Sequence, residues 1–311
     1  MPIIKFVPED FVVDEKTSIV PRNEGSYTIF QLWKRDCSTL EALNMLSKKW
    51  HVPLKWLGVA GLKDKRAITT QLFSAKGNVA PCDLGKVRIE ILGRSKSPIS
   101  TGMLEGNSFK IVVRSVEEVP ETRGEFVNYY GEQRFGTANE DIGLNMIKGD
   151  WKKACELTDD PRVQEWFVSH PNDYVGAMKI LPLKLLKLYV HSYQSKVWNE
   201  CVSALLEKGE TMTEFPIPGF GSEGEHIDVL TTRIAHDGIT LRSFVIRQIP
   251  ELSSEGGTRT VMITAENATM KVDNDDQFPG KKKVTLEFYL PKGCYATEFI
   301  RQLFGEVQTL K

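Results

Sequence analysis

The chain has 311 residues, 41% of them hydrophobic and 26% charged, with a net charge of −1. That length supports one or two domains around a sizeable core, and the composition is that of a globular protein. No apolar run approaches the roughly 20 residues that would cross a bilayer, the opening residues lack the flank of a secretory leader, and the near-neutral charge argues against indiscriminate nucleic-acid binding while leaving room for a segregated basic face.

Five scattered cysteines, none in a Cys-x-x-Cys pair, read as reduced thiols of a cytoplasmic protein. His51, His170, His191, His226 and His236 form no ligand spacing with them, so no metal is expected.

In chain order, Ile3 to Val13 reads as two short strands around Pro8-Glu9-Asp10, and Ser26 to Lys34 as a strand rich in β-branched and aromatic residues. Ser38-Thr39-Leu40-Glu41 is a capping box. The helix it opens should run to about Trp50, with Leu40, Leu43, Leu46 and Trp50 as its apolar stripe. Gly58 to Gln71 then sets one acid, Asp64, among Lys63, Lys65 and Arg66, on a turn between an apolar run and the strand Thr69 to Ala75. Positive neighbours favour an ionised carboxylate, which can attack or take a proton. Gly58 and Gly61 would permit the turn. The bland reading of the same residues is a solvated turn.

Val87 to Leu92 and Phe109 to Val113 are further strands, the second entered from a connection that ends Gly106-Asn107-Ser108-Phe109. Asn128 to Gly136 is a stiff aromatic loop whose Arg134 could bridge to phosphate or carboxylate. Ala138 to Lys208 has helical periodicity, with an apolar stripe of Leu183, Leu186, Val190, Tyr193, Val197 and Cys201. Strand character returns at Thr258 to Thr264 and Val284 to Leu290. A helix-rich block between two β-rich parts implies a domain inserted into a discontinuous parent, with residues 1–137 and 257–311 around 138–256. Gly219 to Gly224 satisfies Gly-x-Gly-x-x-Gly, but it follows Pro216-Ile217-Pro218 and opens no helix, so it reads as a loop.

Five stretches together resemble the TruD family of tRNA pseudouridine synthases. Gly61, Lys63, Asp64, Ala67, Thr69 and Gln71 fill every fixed position of its Gly-x-Lys-Asp-x-x-Ala-x-Thr-x-Gln signature. Lys5-Phe6-Val7-Pro8-Glu9-Asp10-Phe11 is similar to its opening motif, Gly106-Asn107-Ser108-Phe109 to its Gly-Asn-x-Phe, and Asn128 to Gly136 to its Asn-Tyr-Phe-Gly-x-Gln-Arg-Phe-Gly, with Tyr130 a mild departure. Leu290 to Thr297 resembles its closing Leu-Pro-x-Gly-x-Phe/Tyr-Ala-Thr, and His191 to Asn199 its central helix.

The resemblance implies an α+β fold: a pseudouridine synthase core with a mixed sheet and flanking helices, interrupted by a family-specific α/β domain. It implies a catalytic Asp64 held by Lys5, a base enclosed by Phe11, Phe109 and Tyr295 and hydrogen-bonded by Asn107, and RNA contacts from Lys63, Arg66 and Arg134. An extruded base needs an aromatic face and a hydrogen-bonding edge, which Phe109 and Asn107 could supply. The expected partner is tRNA, most often at uridine 13, met by a cytoplasmic monomer without cofactor or membrane. Two alternatives stand beside it. One is a non-catalytic RNA-binding or tRNA-folding protein of the same fold. The other is a glycosidase, which normally wants two carboxylates, and no second acid stands out.

Overall fold

The computed structural model describes residues 1–121 and 123–310. It divides into two compact units, Met1–Phe126 with Thr264–Lys311, and Val127–Ile263.

The first unit begins with β1 (Ile3–Ile4), a short 3-10 turn at Pro8–Asp10, β2 (Phe11–Lys16) and β3 (Tyr27–Arg35). Helix α1 (Thr39–Trp50) follows, then β4 (Leu57–Val59), β5 (Ile68–Lys76), β6 (Cys82–Asp83), β7 (Val87–Ser95) and β8 (Gly106–Val116). After β9 (Glu125–Val127) the second unit contributes α2 (Asn139–Lys148), α3 (Trp151–Glu156), α4 (Pro161–Ser169), α5 (Tyr174–Lys179) and α6 (Leu183–Glu207). Then come β10 (Glu214–Ile217), α7 (Ile227–His236), β11 (Gly257–Thr260) and β12 (Met262–Thr264). The chain returns to the first unit with β13 (Glu266–Asn274), β14 (Lys282–Pro291), α8 (Ala296–Phe304) and β15 (Gln308–Thr309).

An eleven-stranded mixed sheet forms the first unit, with the path β13-β14-β8-β2-β5-β3-β7-β6. The β2–β5 pair is parallel and the other pairs along that path are antiparallel. Because side chains alternate across a strand, one row of cross-strand partners shares a face: Phe288, Phe109, Val13, Thr69, Lys34 and Val87. The next row carries Leu290, Asn107 and Glu15.

Two helices cover that face. Ser38 Oγ accepts from the Glu41 N–H at 3.1 Å while Glu41 Oε2 accepts from the Ser38 N–H at 2.7 Å, so the expected capping box starts α1. The helix buries Ala42, Leu43 and Leu46 with Phe30, Leu32, Phe73 and Val87, each large side chain contributing about 2 kcal/mol. The expected stripe needs one correction: Leu40 is 60% exposed. The face turned inward is Thr39, Ala42, Leu43 and Leu46, the same three-and-four spacing started one residue earlier. At the other end of the sheet, Phe299 of α8 meets Phe288 of β14, ring centroids 4.7 Å apart.

In the second unit α6 is the buried axis. Leu186, Val190, Tyr193, Val197 and Cys201 lie inside as expected, whereas Leu183 at its start is exposed. The glycine string is preceded by a strand after all, since β10 reaches Ile217. Even so, β10 pairs only into a two-stranded antiparallel sheet with β11. The Phe220 and Gly221 N–H groups are spent on the carbonyls of Ser254 and Glu255, both at 2.9 Å. A Cβ at Gly219 would lie 2.2 Å from the Gly256 nitrogen, so that glycine serves chain packing and not a phosphate.

Among the described residues no group of three or more His, Cys, Asp and Glu could hold a metal ion, and no helix is long and apolar enough to cross a membrane.

Candidate active site

The loop from Ala60 to Ala67 joins the antiparallel strands β4 and β5, and nearly every residue of it is tied down. Gly102 N–H donates to the Ala60 carbonyl at 2.8 Å and Gln71 Nε2 to the Gly61 carbonyl at 3.0 Å. The Lys63 N–H donates to Thr39 Oγ1 at 2.9 Å, at the first residue of α1. Lys34 Nζ donates to the Asp64 carbonyl at 2.6 Å. Backbone N–H groups of Cys37 and Asp36 hold the carbonyls of Lys65 and Ala67, each at 3.1 Å, and Arg66 Nη2 reaches the Phe6 carbonyl at 2.5 Å. An irregular segment anchored at this many points holds its one acidic side chain in a fixed place.

That side chain meets Lys5, whose Nζ lies 2.9 Å from Asp64 Oδ2. Lys5 is buried and Asp64 is 34% exposed, so the cation sits inside and the carboxylate faces out. Lys5 takes the left-handed backbone conformation, φ 58°, which costs a non-glycine residue of order 1 kcal/mol or more and collects at functional sites. Its ammonium also lies over the Phe11 ring, 4.4 Å from the centroid.

A second ion pair stands beside the first. Lys63 Nζ lies 2.8 Å from Glu15 Oε2 and donates to Asn107 Oδ1 at 2.8 Å. The Glu15 carboxylate is fully enclosed. Lys34 is enclosed too, and burial pushes its ammonium down from 10.5 to about 8, with Asp64 and Cys37 opposing that shift.

The aromatic part is built on β8 and β14. Phe109 is half-buried, stacked on Phe288 at 5.3 Å between centroids and edge-on to Phe11 at 6.2 Å. Tyr295 is half-buried at the turn that starts α8, where its carbonyl accepts from the Glu298 N–H at 3.1 Å. The β14 register leads to that turn, because Leu290 pairs with Asn107 and Pro291 with Gly106.

The expected residues therefore fall into groups. Asp64 and Lys5 are joined directly, although 59 positions separate them. Asn107 and Phe109 lie within β8, not in a connection before it, because Gly106 to Val116 is one continuous strand. Phe11 is only 2% exposed; it forms the floor under Lys5 and Phe109 and not an open wall. Lys63, expected to face RNA, is turned inward to Glu15 and Asn107, and Arg66 is anchored on Phe6. Lys65, the third base flanking Asp64 in sequence, pairs with Glu41, and the distant Lys5 meets the Asp64 carboxylate. Arg134 belongs to the second unit, where its Nε donates to Ser195 Oγ at 3.3 Å. Gly58 is needed, since a Cβ there would lie 2.3 Å from the Ile99 carbonyl oxygen, while at Gly61 a Cβ would meet nothing within 4 Å.

Sequence reasoning passes over Glu15 and Lys34. The signal that could find them is strand alternation: Glu15 continues Phe11 and Val13, and Lys34 continues Phe30 and Leu32, so both charges fall at inward positions.

The sequence pattern of the family described as tRNA pseudouridine synthase D (TruD) matches residues 2–159, 162–219 and 204–303. The chain belongs to the TruD family. Relatives named "Probable tRNA pseudouridine synthase D" include one from Methanosarcina mazei, 28% identical over 94% of this chain and 91% of the relative. Another, from Methanopyrus kandleri, is 28% identical over 90% of this chain and 86% of the relative. A TruD crystal structure from Methanosarcina mazei superposes with a TM-score of 0.78 at 26% identity, covering 98% of this chain and 94% of that one. The M. mazei alignment runs over 399 positions against 311 residues here, so that relative carries segments with no counterpart in this TruD chain. As a TruD protein it has the α+β fold expected of the family, and the family's enzymes are isomerases.

Proposed function

We propose that this chain converts a uridine of tRNA to pseudouridine with Asp64 as the acting group, and that uridine 13 is the first target to test. The observation that carries the reading is the Lys5–Asp64 pair: a partly exposed carboxylate on a pinned loop, backed by a buried ammonium at 2.9 Å.

The reaction is an isomerisation. The bond from the sugar C1′ to the base N1 breaks, the base turns, and C1′ joins C5, whose hydrogen is replaced while N1 gains one. Atoms balance without a co-reactant. A fixed carboxylate can serve either as nucleophile on the sugar or base, or as the group that removes the C5 proton. Lys5 sets the position of Asp64 and balances its charge. Phe109 offers the extruded base a stacking face, and Asn107 a hydrogen-bonding edge. Tyr295 closes the same pocket from the start of α8, with Phe11 as its floor. Residues 138–256 would form the inserted domain, and Arg134 is a further candidate contact to the RNA. The enzyme would work as a cytoplasmic monomer.

A non-catalytic RNA-binding protein would have no use for this pair, because holding a cation behind an outward carboxylate lowers affinity for phosphate. Pseudouridine formation on a panel of unmodified tRNA transcripts, wild type beside Asp64→Asn, tests the reading. Product from the wild type alone is expected, with the Asn variant still binding tRNA. Equal turnover by the variant would remove Asp64 from the chemistry, and binding by both without product would favour the binding protein.

A further inference from the structure

Asp64, Lys5 and the aromatic rings carry the proposed chemistry, which leaves a second buried charge pair unused. Glu15 and Asn107 are direct cross-strand partners on β2 and β8, so their side chains rise side by side from one face. Lys63 descends on them from the loop, its Nζ 2.8 Å from Glu15 Oε2 and 2.8 Å from Asn107 Oδ1. The lysine is itself held at its backbone by Thr39. Glu15 Oε1 finds no hydrogen-bond partner among the described residues. The carboxylate is therefore no general staple: the ammonium it retains is the one that holds Asn107.

The chemistry of that contact fixes the amide. An ammonium has three donors and no acceptor, so the Asn107 atom facing it must be the oxygen. The remaining end of the side chain is the NH2 group, which donates to no partner among the described residues. A free amide turns over readily and presents either a donor or an acceptor; this one is restricted to a donor.

We infer that Lys63 and Glu15 are positioning residues that lock Asn107 with its NH2 toward the extruded base, so that the site reads a carbonyl oxygen of uracil. The inference rests on the proposed function, since it presumes a base in that pocket. It also gives Lys63 of the signature a role distinct from RNA backbone contact. Lys63 and Glu15 need not touch the substrate; they act through Asn107.

The test uses single-turnover pseudouridine formation on synthetic tRNA carrying uridine, 2-thiouridine or 4-thiouridine at the target position, because sulfur accepts hydrogen bonds more weakly than oxygen. Replacing Lys63 alone would leave Glu15 buried and unpaired and endanger folding. The variant is therefore Glu15→Leu/Lys63→Met, with Glu15→Gln as an isosteric second, and melting curves verify both folds. For the wild type, one of the two thio substrates should react about tenfold more slowly than uridine, the worth of one hydrogen bond. In the double variant that difference should shrink toward one while the uridine rate falls about tenfold, and Glu15→Gln should move the same way to a smaller extent.

A folded double variant, or a Glu15→Gln protein, that keeps the wild-type rate and the wild-type thio penalty overturns the inference. So does a wild type that reacts equally with all three substrates. A wild type that makes no pseudouridine on uridine tRNA overturns the proposed function, and that result is told apart from the others by the uridine control.

Discussion

Two buried ionic clusters lie in the same sheet, and they differ in how completely they are satisfied. Around Arg114, Nε and Nη2 grip both oxygens of Asp10 at 2.7 and 2.9 Å, while Nη1 reaches Asp275 at 3.1 Å and Asp276 at 3.2 Å. Asp275 is filled further by the backbone N–H groups of Ser115 and Gln277, each at 2.9 Å. Burial pushes the Asp275 carboxyl up, but these N–H groups and the guanidinium outweigh it and hold it below the usual carboxylate range. Around Asp64 the pattern is the reverse. Glu15 Oε1, Thr69 Oγ1 and Gln71 Oε1 are enclosed without a hydrogen bond among the described residues, and Lys34 is an enclosed cation with a depressed pKa. A cluster bonded this fully joins distant segments and leaves little for a ligand. The unsaturated one bears a standing cost that packing elsewhere must offset, as sites built for chemistry do.

The sharpest way to separate the clusters is to remove one charge from each. Asp64→Asn keeps the shape of the loop and leaves an amide oxygen for the buried Lys5 ammonium to donate to, so it should reduce pseudouridine formation to background with a smaller fall in melting temperature than Arg114→Leu, as measured by product assay and calorimetry. Arg114→Leu should do the opposite. Two carboxylates would be left buried without their cation, at a cost of about 3–5 kcal/mol, read as a fall in melting temperature. Comparable stability loss in both variants would erase the distinction.

The saturated cluster also predicts acid sensitivity. Asp275 has a folded-state pKa below its ordinary 3.8, so its contribution is present above that value and is lost as pH falls through the folded one. The Arg114→Leu protein should lose less further stability between pH 5 and pH 2 than the wild type.

Much of the scaffold is legible in the sequence itself. The Ser38–Glu41 capping box and the Asp64 turn between two strands rest on local pattern, and local pattern is what a sequence displays. The stripe of α1 shifts by one residue because Leu40 has the right residue type but the wrong azimuth, and azimuth is settled by which side the sheet lies on. The site is legible as a set of residues more than as a set of contacts. Lys63 sits next to Asp64 in sequence yet turns to Glu15, whereas Lys5 reaches Asp64 from 59 positions away. Adjacent residues on a turn point in different directions, so proximity along the chain says little about which cation the carboxylate meets. A second acid does not stand out because Glu15 reads as an ordinary end of strand until alternation is counted inward from Phe11.

Lys34 sharpens the comparison from within the unsaturated cluster. With its folded-state pKa at about 8 against 10.5, the unfolded chain binds more protons between those values, so stability should rise with pH across that window by about 3 kcal/mol. Below pH 8 the burial penalty is present in full. Lys34→Met should flatten the rise, measured as urea midpoints at pH 7 and 10. It should also slow turnover, because the Asp64 carbonyl loses the donor at 2.6 Å.

The smallest effect concerns the aromatic neighbours of the two clusters. Phe6 lies by the saturated one, edge-on to Phe278 at 5.2 Å, with the Arg114 guanidinium 5.9 Å from its ring. Phe109 lies by the other and stacks on Phe288 while remaining half-buried. If the open valences mark where the substrate enters, Phe109→Ala should weaken tRNA binding and turnover by about 1–3 kcal/mol, the worth of one base stacked on a ring. Phe6→Leu should leave both near wild type in a filter-binding and product assay, because its ring supports a cluster that has little left to offer a ligand. Equal losses from the two substitutions would mean that the ring beside Asp64 is only packing, and that unsatisfied polar groups are a poor guide to where this enzyme takes hold of RNA.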